Sequence, residues 1–139
     1  MPKPKNKLQT KWIEILFPYH KHMWMKAYKK LRTKISGYKT TLGIDVEEKI
    51  IESYGQECIY CDRILKVGNI SVDHRIPTFR GGENTQDNLF IVCNRCNRRK
   101  GILTHIEYMD ILMYLQNKSE IVRDYVLRKL ASKDWGDKI

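Results

Sequence analysis

Two Cys-x-x-Cys pairs constrain this chain more than anything else in its 139 residues. Cys58-Ile59-Tyr60-Cys61 and Cys93-Asn94-Arg95-Cys96 hold all four cysteines. Each pair can form a tight knuckle whose thiolates converge, and two knuckles complete the tetrahedral set that zinc prefers in structural roles. A single pair reads equally well as a redox couple or a coincidence; two pairs that use every cysteine do not. Met1-Pro2-Lys3-Pro4-Lys5-Asn6-Lys7 has no apolar run after its lysines, so no secretory signal is expected. The expected location is the cytoplasm, where thiols stay reduced and bind metal rather than pair as disulfides. A site closed by four sulfurs has no open position, so this metal holds structure and activates no water. Thirty-one residues, 62–92, separate Cys61 from Cys93. The metal therefore pins both ends of a long excursion. Chemistry is expected inside that excursion or just past the second knuckle.

Charge is the second constraint. The net charge is +10, and all of it falls in residues 1–40, which carry eleven Lys or Arg and one acid, Glu14. The other residues carry fifteen of each sign. A basic segment joined to a neutral body suits a polyanion, above all nucleic acid. A purely solubilising tail fits less well, because Trp12, Phe17, Tyr19 and Trp24 lie between the lysines. Packing against the C-terminal helices is the expected task of those aromatics, with base stacking as the alternative. No apolar stretch is long enough for a membrane span.

The pattern divides the chain into three parts: 1–40, a basic, partly helical nucleic-acid-binding arm; 41–105, the zinc-bearing domain; and 106–139, a C-terminal helical pair packed on the core. Residues 1–11 read as disordered, Pro18 as an interruption, and Gly37 and Gly43 as a looser connection. Asp45 is placed to cap a helix over 46–54 that stops at Gly55. Ile70-Ser71-Val72 and Leu89-Phe90-Ile91-Val92 are the strand candidates. Ile106, Met109, Leu112, Met113 and Leu115 are expected on one buried helix face. After a break near Asn117, Ser119 caps a second helix with Ile121, Val122, Tyr125, Val126 and Leu130 inward. The class is α+β.

Inside the clamp lie Asp73-His74, at the end of the first strand, and Asn88, just before the second. Asn97 follows the second knuckle, then Arg98-Arg99-Lys100. Singly, each has a plain structural reading: a turn for Asp73-His74, a bend for Asn88, a helix cap for Asn97. Together they put a carboxylate, an imidazole and two carboxamides beside a zinc site that uses none of them. A neutral imidazole, with a reference pKa near ~6.5, can take a proton from water near neutrality. A carboxylate and an amide oxygen suit a hard cation, Mg²⁺ or Mn²⁺, and leave most of its shell for water and phosphate. Cations early in a helix are mildly unfavourable unless a bound phosphate reverses the local sign.

These residues resemble the HNH (His-Me finger) endonucleases. The likeness runs over about 45–105 through Cys58–Cys61, Ser71-Val72-Asp73-His74-Arg75-Ile76-Pro77, Arg80-Gly81-Gly82, Asn84-Thr85, Asn88-Leu89 and Cys93–Gly101. It implies a small ββα-metal unit braced by the four-cysteine zinc site, flanked by the basic helical segment and the two C-terminal helices. It implies that His74 is the general base and that Asn88 orients it and its loop. Asp73 and Asn97 are implied ligands of one catalytic Mg²⁺ or Mn²⁺, in an H-N-N variant. It implies a DNA endonuclease leaving a 5′-phosphate, in which a monomer nicks and a dimer, or two events, cuts both strands.

Duplex DNA is the expected partner, gripped by Lys21, Lys26, Lys29, Lys30, Arg95, Arg98, Arg99 and Lys100. A homodimer or a phage or host protein partner is also compatible, in a bacterial host or a phage-encoded setting. The rival class is a catalytically inactive, zinc-stabilised nucleic-acid-binding module. A third reading, weaker again, is an RNA or structure-specific nuclease.

Overall fold

A computed structural model of the chain describes residues 3–131. The outer ends of the expected arm and C-terminal pair, residues 1–2 and 132–139, lie outside the described residues. Asn6 opens α1 (Lys7–Leu16): its side chain accepts from Gln9 N at 2.8 Å and satisfies a first-turn amide. Helix thus begins inside the stretch that the lysines marked as disordered. Gln9, Trp12, Ile13 and Leu16 make a buried face that repeats at helical spacing. Phe17 keeps helical angles (φ −57°, ψ −43°) and still donates to Ile13 O, but Pro18 has no N–H to continue the ladder, and the helix ends there.

The long helix α2 (Trp24–Leu42) runs straight through Gly37, contrary to the looser connection expected there. An interior glycine costs about 0.5–1 kcal/mol. The buried face of Ala27, Leu31 and Ile35 outweighs that cost. Gly43, at φ 76°, supplies the left-handed stop and donates to Lys39 O. The next helix, α3 (Glu47–Ser53), begins where Asp45 Oδ1 accepts from Glu47 N at 2.9 Å.

Trp12 is fully buried, but under α3 rather than the C-terminal helices. Its indole N–H donates to Glu47 Oε1 at 2.9 Å and its ring stands edge-on to Tyr54. Arg32 pairs with the same carboxylate. Buried Glu47 therefore has two donors, which is what a buried charge requires.

The sheet has two antiparallel strands, β1 (Ile70–His74) and β2 (Leu89–Cys93), paired from Ile70↔Cys93 to His74↔Leu89. Two lysines hold the helices to it. Lys34 Nζ donates to Ile70 O at 2.7 Å, where β1 starts, and Lys49 Nζ to Leu89 O at 2.8 Å, where β2 starts. A seven-residue helix, α4 (Asn94–Lys100), follows β2 without a break, so β1, β2 and α4 form a ββα unit. The overall class is α+β, as expected.

A capping box on Thr104 and Glu107 starts α5 (His105–Leu115). Ser119 Oγ accepts from Val122 N at the start of α6 (Glu120–Ala131). The expected faces hold in part: on α5 Leu115 is buried and Met109 and Leu112 are partly so. Tyr108 is buried as well, while Ile106 and Met113 are exposed. On α6, Leu127 is buried with Val126 and Leu130 partly so, and Ile121, Val122 and Tyr125 face solvent. Apolar residues lie on two sides of α6. The Arg99–Asp124 ion pair to α4 turns the Asp124–Leu127 side inward. One apolar cluster runs from Trp12 through the sheet to Leu127. No helix among the described residues is long and apolar enough to cross a membrane.

Candidate functional site

The sulfurs of Cys58, Cys61, Cys93 and Cys96 all lie within 4.8 Å of one another. Four thiolates about 2.3 Å from one tetrahedral ion stand ~3.8 Å apart, so the cluster has the size of a zinc site. The backbone builds it. Cys58 N donates to Arg63 O at 2.7 Å and Asp62 N to Cys58 O at 3.1 Å, closing the first knuckle. Asp62 takes the left-handed turn, φ 63°, that such a closure needs and that Asp tolerates better than most residues. Cys93 is at once the last residue of β2, the cap of α4 and a cluster member; its sulfur accepts from Cys96 N. A hydrogen bond with the Cys96 thiol brings Cys58 down to about 5, and the same bond pushes Cys96 up. The cluster thus favours a thiolate before any metal enters, and it can hold a metal such as zinc.

Asp73 and His74 lie at the end of β1 away from the cysteines, Asn88 lies just before β2, and Asn97 sits on α4 next to Cys96. Cys93, Cys96, Asn97 and Lys100 recur at i, i+3, i+4 and i+7, one helical face. Asn97 Nδ2 donates to Ser71 Oγ at 2.8 Å and to Val72 O at 3.3 Å, which leaves its Oδ1 unused by any described residue. Lys100 is fully buried: its ammonium is 2.7 Å from His74 O and 3.3 Å from both carboxylate oxygens of Asp73. It was expected among the cations that grip phosphate. A fully buried ammonium cannot do that, and the correction places Lys100 inside the site. Asp73 is 5% exposed, and its Oδ2 makes no hydrogen bond. Burial raises the Asp73 pKa and lowers that of Lys100; the charge of each partner opposes both shifts. A carboxylate oxygen that has an ion-pair partner but no hydrogen bond, and a spare amide oxygen, are donor types that fit a hard cation.

His74 is half-buried at the end of β1, with Nε2 2.7 Å from Asn84 Oδ1. Asn88 is a clasp. Its Oδ1 accepts from Ile76 N at 2.9 Å, and its Nδ2 donates to Ile76 O at 3.0 Å and Glu83 O at 2.9 Å. Between those points the chain turns through Gly81, at φ 87°, and Gly82, where an added Cβ would fall 1.6 Å from Ile76 O. Only glycine fits there. Beyond the loop, Tyr60 OH meets His105 Nδ1 at 2.7 Å, and the Tyr60 ring stands edge-on to Phe90 and Tyr108. That cluster ties the first knuckle to β2 and α5.

The remaining cations divide. Arg98 is exposed, Arg99 is paired with Asp124, and Arg95 is half-buried with its Nε unpartnered. Lys21, Lys26, Lys29 and Lys30 are exposed in and before α2, and the last three line a shallow groove with Thr33 and Lys34. Sequence reasoning named Lys100 as a phosphate contact and missed its place beside Asp73, although its spacing from Asn97 gave that away. It also gave no task to Asn84 or His105, for which composition and spacing offered no signal.

The ββα unit and its cysteines can now be set beside known proteins. Residues 58–106 match the family model for HNH endonucleases. The chain is similar to that family over this segment, which holds both cysteine pairs and the ββα unit. Over 46 residues the chain is also 41% identical to the CRISPR-associated endonuclease Cas9 of Corynebacterium diphtheriae. That stretch is 32% of this chain and 4% of the Cas9, so the likeness concerns the HNH segment alone.

Proposed function

We propose that the protein is a metal-dependent HNH endonuclease that hydrolyses DNA phosphodiester bonds. The observation that supports this reading is the buried Asp73, paired with Lys100, beside His74 at the end of β1 away from the thiol cluster, with Asn97 of α4 bonded to Ser71 and Val72 on the same strand. Zn²⁺ on Cys58, Cys61, Cys93 and Cys96 is the structural brace. Asp73 and Asn97 hold a divalent cation, Mg²⁺ or Mn²⁺, which when bound supplies Lewis acidity to the phosphate. His74 accepts the proton of the attacking water, and Asn88 acts by fixing the loop beneath it. One such site cuts one strand, so a monomer nicks and a double-strand break takes a dimer or two events.

The DNA lies across the exposed cations, with Lys26, Lys29 and Lys30 on α2 and Arg98 on α4 as phosphate contacts. Exposed Lys21 and half-buried Arg95 are further candidates, and Arg99 can contact phosphate only by leaving Asp124. On this reading residues 1–40 grip, 41–105 cut, and 106–139 back the zinc-bearing unit.

One observation favours a second reading, a zinc-stabilised nucleic-acid-binding module without catalysis: the ammonium of Lys100 already faces Asp73. A plasmid-nicking assay separates the two. The nuclease reading expects open-circular product with Mg²⁺ or Mn²⁺, none with EDTA, and none from His74→Ala. Tight DNA binding with no nicking under any divalent cation would establish the module instead. Branched DNA and RNA in the same assay test the structure-specific and RNA alternatives.

A further inference from the structure

The loop between the strands holds a side chain that the reading above leaves idle. Asn84 is exposed, yet its Oδ1 sits 2.7 Å from His74 Nε2. Its backbone is fixed on the near side: Asn88 Nδ2 donates to Glu83 O at 2.9 Å, and Gly82 N donates to Pro77 O at 2.9 Å. Asn88 also grips both backbone groups of Ile76. The chain of contacts therefore runs from Asn88 through Glu83 to Asn84 and ends on the imidazole.

An amide oxygen accepts and never donates. Facing it, Nε2 must carry the imidazole proton, so a neutral His74 keeps its lone pair on Nδ1. We propose that Asn84 is a positioning residue for His74: it fixes the ring and holds the neutral Nε2–H tautomer, leaving Nδ1 as the base. The opposite amide orientation would have Nδ2 donating to a bare Nε2. The ring proton would then sit on Nδ1, and neither nitrogen could accept a proton from water. Asparagine also suits the place better than aspartate would. A carboxylate would hold the same tautomer but set a negative charge where a phosphate must approach.

The inference rests on the nuclease reading for its purpose, but its test does not. In the full chain labelled with ¹⁵N, imidazole nitrogen shifts report the tautomer, and His74→Gln assigns the His74 signals. The expected result is Nε2–H in the wild type and in Asn84→Asp, and a mixture of tautomers in Asn84→Ala. In nicking assays Asn84→Ala should lose kcat roughly 10- to 100-fold, part of the 10²–10⁴ a general base contributes, with KM unchanged. Asn84→Asp should keep the tautomer and raise KM. A wild-type ring protonated on Nδ1 overturns the proposal, as does an Asn84→Ala protein with the wild-type tautomer and rate. If the wild type cuts no DNA yet loses its tautomer on Asn84→Ala, the nuclease reading fails and the positioning role stands.

Discussion

His74 and Lys100 differ in how a substitution at each would register. Replacing His74 with alanine removes a group at the protein surface that supports little else. Cleavage should fall about 10²- to 10⁴-fold, with metal content, thermal stability and DNA affinity close to wild type. Nicking rates set against fluorescence-anisotropy binding check this, and a variant cutting at the wild-type rate would remove His74 from the chemistry. Lys100→Met keeps the length of the side chain but leaves the Asp73 carboxylate buried and unpaired. Breaking one side of a buried ion pair costs about 3–5 kcal/mol. Urea denaturation should show a loss of that order, along with the loosening of His74, whose carbonyl Lys100 holds. A Lys100→Met protein as stable as the wild type would mean that the pair contributes nothing to the fold. Lys100 also shows where residue-type reasoning fails. A lysine after two arginines suggests a solvated basic turn, whereas its i+3 spacing from Asn97 puts it on the polar face that packs on the sheet.

Among the elements, those that a local rule dictates were legible and those set by distant partners were not. β1 and β2 follow from two short β-branched and aromatic runs between turn residues, and the thiol cluster from its spacing. Which side of α6 faces inward was legible only in part, because its apolar residues cover two faces and the deciding contact, Asp124 to Arg99, comes from another element. The place of Trp12 was hidden for the same reason: its partner, Glu47, is 35 residues away. The helical course through Gly37 depends on tertiary burial, which outweighs propensity. Of the candidate site, Asp73, His74, Asn88 and Asn97 stand out in the sequence, and the polar contacts of each are seen only in the structure. The clasp of Asn88 on Ile76 and Glu83 is among those contacts. The loop gives the sharpest element-scale prediction. In Gly82→Ala the new methyl meets backbone at 1.6 Å, which no rotamer relieves. The loop should open, with nicking lost and new proteolysis within 76–83, while the thiol cluster keeps its metal because it lies at the far end of the strands. Removing that metal should have the opposite reach. Chelation should unfold the middle of the chain, since binding and folding are coupled at such sites, and circular dichroism during titration with a chelator would follow it.

For the whole molecule, the count of positive charge overstates what a polyanion meets. Lys34, Lys49 and Lys100 direct their ammonium groups at backbone carbonyls. Arg32 and Arg99 are tied to carboxylates. The free cations of α2 are therefore the ones to remove. Lys26→Gln, Lys29→Gln and Lys30→Gln together should flatten the log–log salt dependence of duplex binding by about 2.7 units if all three touch phosphates. No change in slope would move the DNA surface away from α2. Truncation of the N-terminal residues is a poorer experiment, because Asn6 and Gln9 belong to the start of α1 and a cut there disturbs the packing of Trp12. The pairing of Ile70 with Cys93 and of His74 with Leu89 sets the two ends of one hairpin four residues, or ~14 Å, apart. A spectroscopically silent ion at the cysteine end could be exchanged for Co²⁺, whose unpaired electrons broaden nearby nuclear signals with distance. The protein would then carry its own molecular ruler, with His74 at a known graduation, and any tilt of that end when duplex DNA is added could be read without attaching a label.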